Sequence, residues 1–118
     1  MIGLGSATRI FLATGATDMR RGYDGLADLV RHKLQAEPLS GHWFIFRNGR
    51  RNRIKILYWD GNGLWICAKR LEKGTYNWPE AGGSCARLSP EELALLLGGI
   101  DLGRTRARKG WRKEEKAA

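Results

Sequence analysis

Phe46-Arg47-Asn48-Gly49-Arg50-Arg51-Asn52-Arg53-Ile54-Lys55-Ile56-Leu57-Tyr58-Trp59-Asp60-Gly61-Asn62-Gly63-Leu64-Trp65 is the stretch whose reading decides the fold. Two groups of turn residues, Asn48 to Asn52 and Asp60 to Gly63, cut it into strand-length pieces. Trp43 to Phe46 reads as one strand, Arg53 to Trp59 as the next and Leu64 to Leu71 as the third, a hairpin extended into an antiparallel meander. Side chains alternate along a strand, so Ile54, Ile56 and Tyr58 share a core face while Arg53, Lys55, Leu57 and Trp59 share the other. A three-residue second turn with Gly63 left-handed sets Trp59 opposite Trp65 and Lys55 opposite Lys69. Arg53, Lys55, Trp59, Trp65 and Lys69 then form one basic aromatic face. A two-residue Gly61-Asn62 turn instead slips the pairing by one residue and mixes apolar with basic positions. The first register sorts the residues more cleanly and is the one expected.

Upstream, Thr8 to Thr14 is a short β-rich run broken by Gly15-Ala16-Thr17-Asp18. From Tyr23 to Gln35, Leu26, Leu29, Val30 and Leu34 recur at helical spacing, with Asp24 as N-cap and Pro38 closing the region. Downstream, Lys73-Gly74 leads to a further strand over Thr75 to Trp78 that Pro79 stops. Ser84 to Leu88 reads as a last, edge strand, one that could pair two copies of the chain. Ser89-Pro90-Glu91-Glu92 opens a helix: Ser89 suits the N-cap, Pro90 the first helical position, and Glu92 completes a capping box. Leu93, Leu96 and Leu97 supply its buried stripe and Gly98-Gly99 a left-handed stop.

These elements predict a single α+β domain, an antiparallel β-meander of about five strands with two helices packed on one face and the other face left for a ligand. Residues 1–102 make up that domain. Residues 103–118 carry seven Lys or Arg against two Glu, and few apolar groups remain to order them, so a disordered basic tail anchored by Trp111 is expected.

The 118 residues suffice for one core but not for two. Lys and Arg number 21 against 12 Asp and Glu, a net charge of +9, which attracts polyanions. Cys67 and Cys85 lie in different elements and form no Cys-x-x-Cys pair, so neither a disulfide framework nor a zinc site is implied and a reducing, cytoplasmic setting follows. The apolar start has no basic leader region, and the longest aliphatic block, Leu93 to Leu97, falls far short of the roughly 20 residues that span a membrane. A soluble protein with no membrane partner is expected.

Arg47, Arg50, Arg51, Arg53, Lys55, Trp59, Trp65 and Lys69 combine phosphate-binding cations with rings that stack on bases, worth roughly 1–3 kcal/mol per base. The plain alternative is a cross-strand aromatic pair with arginines that merely solvate a loop. Arg20 and Arg21, with Asp18, Asp24 and two glycines between a strand and a helix, suit an anion at a helix start, or else pair locally with the carboxylates. Metal-dependent phosphodiester cleavage needs converging carboxylates. Asp18, Asp24, Asp60, Glu72 and Asp101 are the candidates, and their spacing predicts no convergence. His32 falls on the polar side of a helix and His42 in a loop, neither near a nucleophile. No nucleotide-binding fingerprint is present. No catalytic residue, metal or cofactor is therefore assigned.

Leu12-Ala13-Thr14-Gly15-Ala16-Thr17-Asp18-Met19-Arg20, Tyr23-Asp24-Gly25-Leu26, Phe46-Arg47-Asn48 and Ile54 to Gly63 are followed in order by Lys69-Arg70-Leu71-Glu72-Lys73-Gly74, Trp78-Pro79 and Leu97-Gly98-Gly99-Ile100-Asp101. From about Ile10 to Leu102 the chain resembles the TnpB-type accessory proteins, encoded by the second reading frame of bacterial insertion sequences of the IS66 family. The resemblance implies a role in transposition beside a larger transposase that carries the acidic catalytic residues. It supplies no catalytic residues to carry over. Three readings follow: a non-catalytic accessory that binds DNA at element ends or a strand-transfer intermediate, a protein-interaction module that assembles the transposase with the same Trp and Arg residues as hot spots, and a metal-dependent nuclease.

Overall fold

A computed structural model describes residues 7–80, 82–98 and 112–114. Its elements are β1 (Ile10–Ala16), α1 (Tyr23–His32), β2 (Trp43–Arg47), β3 (Arg53–Trp59), β4 (Leu64–Arg70), β5 (Cys85–Leu88), α2 (Pro90–Leu97) and β6 (Arg112–Glu114). The strands form one sheet in the order β4-β3-β2-β1-β5-β6. The α+β class is as expected, but the sheet is mixed. β1 and β2 run parallel, with Ile10 beside Trp43 and Leu12 beside Ile45, while the other neighbours are antiparallel. The expected meander holds only for β2-β3-β4. Between β1 and β2 the chain returns through α1, and a helical crossover brings a strand back in the same direction.

Ile10-Phe11-Leu12-Ala13 and Trp43-Phe44-Ile45-Phe46 have no polar position, so both faces of these strands must be covered. Ile10, Leu12, Trp43, Ile45, Ile54, Ile56 and Tyr58 pack with Leu93 and Leu96 of α2. Phe11, Ala13, Phe44, Phe46 and Leu57 pack with Leu26, Ala27, Val30 and Leu34 on the α1 side. The helices therefore lie on opposite faces, correcting the expectation that both cover one.

Thr75 to Trp78 is not a strand. It crosses the α2 face as an irregular segment, burying Tyr76 and Trp78. The Tyr76 N–H donates to the Arg51 carbonyl at 2.6 Å and the Trp78 indole N–H to the Ala13 carbonyl at 2.9 Å. β5 is not an edge either, since β1 pairs with it on one side and β6 on the other. β6 comes from the segment beyond residue 103; the rest of that segment, Trp111 included, lies outside the described residues. Asp101 and Gly99 do as well.

The first helix is capped at Gly22 with no side-chain bond, so Asp24 is not its N-cap but the second residue of its first turn. Gln35 adopts a left-handed φ of 53° just beyond the end. α2 begins as its sequence demands. The Ser89 hydroxyl accepts the Glu92 N–H at 3.1 Å, and Glu92 Oε1 accepts the Ser89 N–H at 2.8 Å. Gly98 ends α2 at a φ of −79°, right-handed rather than left-handed. No helix among the described residues is long and apolar enough to cross a membrane.

The capping box orders α2, which covers the Ile54 and Tyr58 face. Ser89→Ala is expected to lower unfolding stability by about 1 kcal/mol, read as a shifted urea midpoint at constant slope. An unchanged midpoint would show that packing of Leu93 and Leu96 alone holds the helix.

Candidate nucleic-acid interface

The β3–β4 pairing fixes what each face of the ribbon presents. Trp59 lies opposite Leu64, Tyr58 opposite Trp65, Lys55 opposite Ala68, Ile54 opposite Lys69 and Arg53 opposite Arg70. This is the two-residue Gly61-Asn62 turn, not the three-residue loop preferred from sequence. Asp60 closes it: its N–H donates to the Gly63 carbonyl at 3.1 Å, and its Oδ1 accepts the N–H groups of Asn62 and Gly63 at 3.1 and 3.0 Å. Gly61 takes a φ of 114°, which a side chain would not tolerate. The Trp65 indole N–H reaches back to Asp60 Oδ2 at 2.7 Å. The N–H of Asn62 and then the Trp65 indole hold the exposed Asp60 carboxyl below its usual range.

The single basic aromatic face therefore splits. Trp65 and Lys69 share the face of Ile54 and Tyr58, whereas Arg53, Lys55 and Trp59 point to the α1 side. Trp65 becomes the outer plate of an aromatic column: Trp43 stacks on Tyr58 at 5.1 Å and Tyr58 on Trp65 at 6.2 Å. It keeps 46% of its surface exposed. Trp59 is half-buried.

Several of the cations singled out from sequence are engaged within the fold. Lys55 Nζ donates to the Arg21 carbonyl at 2.9 Å, ahead of α1. Lys69 Nζ donates to the Leu97 carbonyl at 2.7 Å, where the α2 dipole is negative. Arg47 donates to the carbonyls of Thr14 and Asn48, each at 3.1 Å, and its guanidinium lies 5.9 Å from the Trp78 ring centre. Burial and the nearby Arg51 lower its pKa. Arg51 is itself half-buried, at a left-handed φ of 59°.

Three other arginines, Arg50, Arg53 and Arg70, line two open clefts. One, of about 410 Å³, runs between the β1–α1 and β2–β3 loops, where Asp18, Met19, Asn48, Arg50 and Arg53 line it. It lies at the carboxyl ends of the parallel strands β1 and β2, beside the start of α1. The Thr17 N–H ties one wall to the Arg47 carbonyl at 2.7 Å. Asn48 fixes the other: its Oδ1 accepts the N–H groups of Asn52 and Arg53, each at 3.0 Å, and its Nδ2 donates to Asn52 Oδ1 at 2.7 Å. The second cleft, of about 480 Å³, is lined by Arg53, Lys69, Arg70 and Glu72 among others.

Arg53 borders both clefts and stands directly across from Arg70, whose one ion pair among the described residues, to Glu72 at 3.2 Å, is exposed. Arg50 and Arg53 make no side-chain hydrogen bond or ion pair among the described residues. Arg21 is exposed and, among the described residues, makes a single long contact to the Gly25 carbonyl, 3.4 Å. Arg20 is clasped by Asp18 through contacts of 2.7 to 3.1 Å. Arg70 and Asn48 are the residues that reading the sequence missed. Arg70 could have been found by placing the slipped register against Arg53.

Asp18 and Asp60 are spent on Arg20 and on a turn, and no cluster of three His, Cys, Asp or Glu side chains suited to a metal ion occurs among the described residues. His42 is a structural acceptor, its Nδ1 taking the Arg9 N–H at 3.0 Å.

A family model described as IS66 Orf2 like protein matches residues 8–107. Two proteins of Sinorhizobium fredii are similar over most or all of the chain. The uncharacterized protein y4hO is 41% identical over 101 residues, covering 86% of this chain and 88% of its own length. The uncharacterized protein y4jC is 40% identical over 118 residues, covering 100% of both. No solved structure matches the chain.

The Arg20 clasp, first through its side-chain hydrogen bond, lowers the Asp18 carboxyl from 3.8 to about 2. A carboxyl-detected NMR titration of the wild type should place Asp18 near that value, and Arg20→Ala should return it toward 3.8. A wild-type Asp18 that already titrates in the ordinary range would mean that the clasp is not formed in solution.

Proposed function

The chain belongs to the IS66 Orf2-like protein family of insertion-sequence accessory proteins, and we propose that it acts in transposition as a non-catalytic DNA-binding protein of the bacterial cytoplasm. The observation that carries this reading is the cross-strand Arg53–Arg70 pair, which lines one open cleft and through Arg53 borders a second. Like charges directly opposite destabilise a strand pair, and a phosphate backbone laid across them removes the repulsion. Arg50, one loop away, extends the band, and Arg21 flanks it at the start of α1.

The register also supports one mode of binding over another. Trp59 and Trp65 lie on opposite faces, so no joint stacking platform accompanies the arginines. Contacts to phosphate then dominate, and they position a duplex without reading its bases. The second reading, a module that assembles the element's transposase, draws on the exposed plate of Trp65. The two differ in salt dependence, since each neutralised phosphate contributes a slope of about −0.9 in log affinity against log salt.

Fluorescence anisotropy with element-end and scrambled duplex across a salt series is the test. Arg50→Ala/Arg53→Ala should weaken binding to both duplexes and flatten the slope by roughly 2, one phosphate for each arginine, while circular dichroism stays that of the wild type. Asp18→Asn releases Arg20 and should strengthen binding; a nuclease using Asp18 would instead lose divalent-dependent cleavage. Binding indifferent to both substitutions and to salt would overturn the DNA-binding reading in favour of the transposase-assembly module.

A further inference from the structure

β4 ends the sheet on the side away from β6, and its outer edge carries a specific set of open backbone groups. The Asp60 N–H bonds the Gly63 carbonyl and the Leu71 N–H bonds the Asn52 carbonyl. In an antiparallel ladder such bonded pairs recur at every second residue, so Trp65, Cys67 and Lys69 direct their N–H and C=O groups toward β3. Leu64, Ile66, Ala68 and Arg70 direct theirs outward, and no backbone hydrogen bond to them from any other element occurs among the described residues. The run Leu64-Trp65-Ile66-Cys67-Ala68 is apolar and carries no proline, bulge or charge to blunt it. Natural sheets seldom leave such an edge unprotected.

We propose that this edge is an interface with a second copy of the chain, the two β4 strands pairing antiparallel across a twofold axis at Cys67. Backbone geometry selects the register. Outward groups must meet outward groups, and centring on Cys67 uses every one of them: Leu64 meets Arg70 of the second copy, and Ile66 meets its Ala68. On the α2 face, Trp65 then lies against Lys69 of the second copy, and Cys67 meets its own equivalent. The charges agree with this direction. Lys69 and Arg70 mark one end of the strand, and Asp60, bonded to Trp65, marks the other. Antiparallel pairing brings the basic end of each copy to the acidic end of its mate, whereas parallel pairing would set Arg70 against Arg70.

Because Cys67 points its backbone inward, it meets its equivalent at a non-hydrogen-bonded position. There the Cα atoms are about 4.5 Å apart, inside the roughly 4.4–6.8 Å that a disulfide spans. Cys85, the other cysteine, is fully buried. The thiol therefore serves as a reporter of register.

The test uses the full chain. Light scattering should give twice the 13.3 kDa chain mass, and mild oxidation should convert the dimer to a covalent one. Cys67→Ser should abolish the covalent dimer but keep the non-covalent one. Moving the thiol by one residue, in Cys67→Ser/Ala68→Cys, should abolish cross-linking as well, because Ala68 then faces Ile66 and its own equivalent lies beyond the roughly 7 Å limit. Ala68→Pro removes an outward donor without touching the β3 ladder. It should return the mass to that of one chain while the circular dichroism spectrum stays that of the wild type and the urea midpoint, lower than the wild type's, loses its dependence on protein concentration.

A monomer at the highest soluble concentration, a dimer that Ala68→Pro leaves intact in a folded protein, or a dimer that does not cross-link through Cys67 would each overturn the proposal. A dimer lost only on removing residues 103–118 would likewise overturn it and assign the contact to the β5 side. These readouts are independent of DNA affinity, so the interface can fail while the arginine band stands, or the reverse.

Discussion

The requirement that β1 and β2 be covered on both faces governs the rest of the architecture. Neither strand has a polar residue in its central run, so neither can face water on one side as the strands of a simple meander do. α1 supplies one cover, and it also forces β2 to lie parallel to β1, because it carries the chain back across the sheet. The other cover is composite. α2 is short, and the irregular Tyr76–Trp78 segment fills the area that it leaves. Placing that segment requires contacts between residues far apart in sequence, such as the Trp78 indole on the Ala13 carbonyl.

Within this frame, the turn at Asp60 decides what the ribbon presents to solvent. Sorting residues by polarity favours the register that gathers every tryptophan and cation on one face. The slipped register has stronger local terms. Asp60 accepts hydrogen bonds from Asn62, Gly63 and Trp65, which fix the turn and tie its far strand back to it. The aromatic column adds about 0.5–1.5 kcal/mol for each stacked pair. Keeping Lys69 on the core face costs little at the exposed end of the edge strand, where its long stem reaches the end of α2.

What could be read from the sequence follows the range of the forces involved. The bounds of β3, the start of α2 and its capping box are set by residues within one turn or one strand, and they stand as expected. The parallel pairing of β1 with β2 was implicit in the strand, helix, strand order, though not in any one of the elements. The opposite placement of the helices follows from the fully apolar runs of β1 and β2. The β3–β4 register could not be read, because it turns on Trp65 stacking with Tyr58 and, through it, with Trp43 on a third strand. The proposed site was legible in its charge but not in its arrangement: Arg50 and Arg53 line open clefts, Arg70 lies across from Arg53, and Trp65 stands on the opposite face.

The division of labour among the cations explains why charge counts mislead here. Arg47, Lys55 and Lys69 all donate to carbonyls at places where regular structure breaks down. The Thr14 carbonyl lies at the register shift in β1, Arg21 just ahead of α1, and Leu97 at the end of α2. An unpaired carbonyl in such a place costs about 1–3 kcal/mol when shielded from water, and a flexible cation reaches it from a neighbouring strand. These three positive charges therefore act as braces of the chain's irregular points. Arg50 and Arg53 reach no such carbonyl among the described residues: one sits on a loop tip held by Asn48, the other at the first position of a strand with Arg70 across from it. A basic residue is free for a ligand to the extent that the backbone around it is already satisfied, and Asn48 satisfies the backbone of that loop.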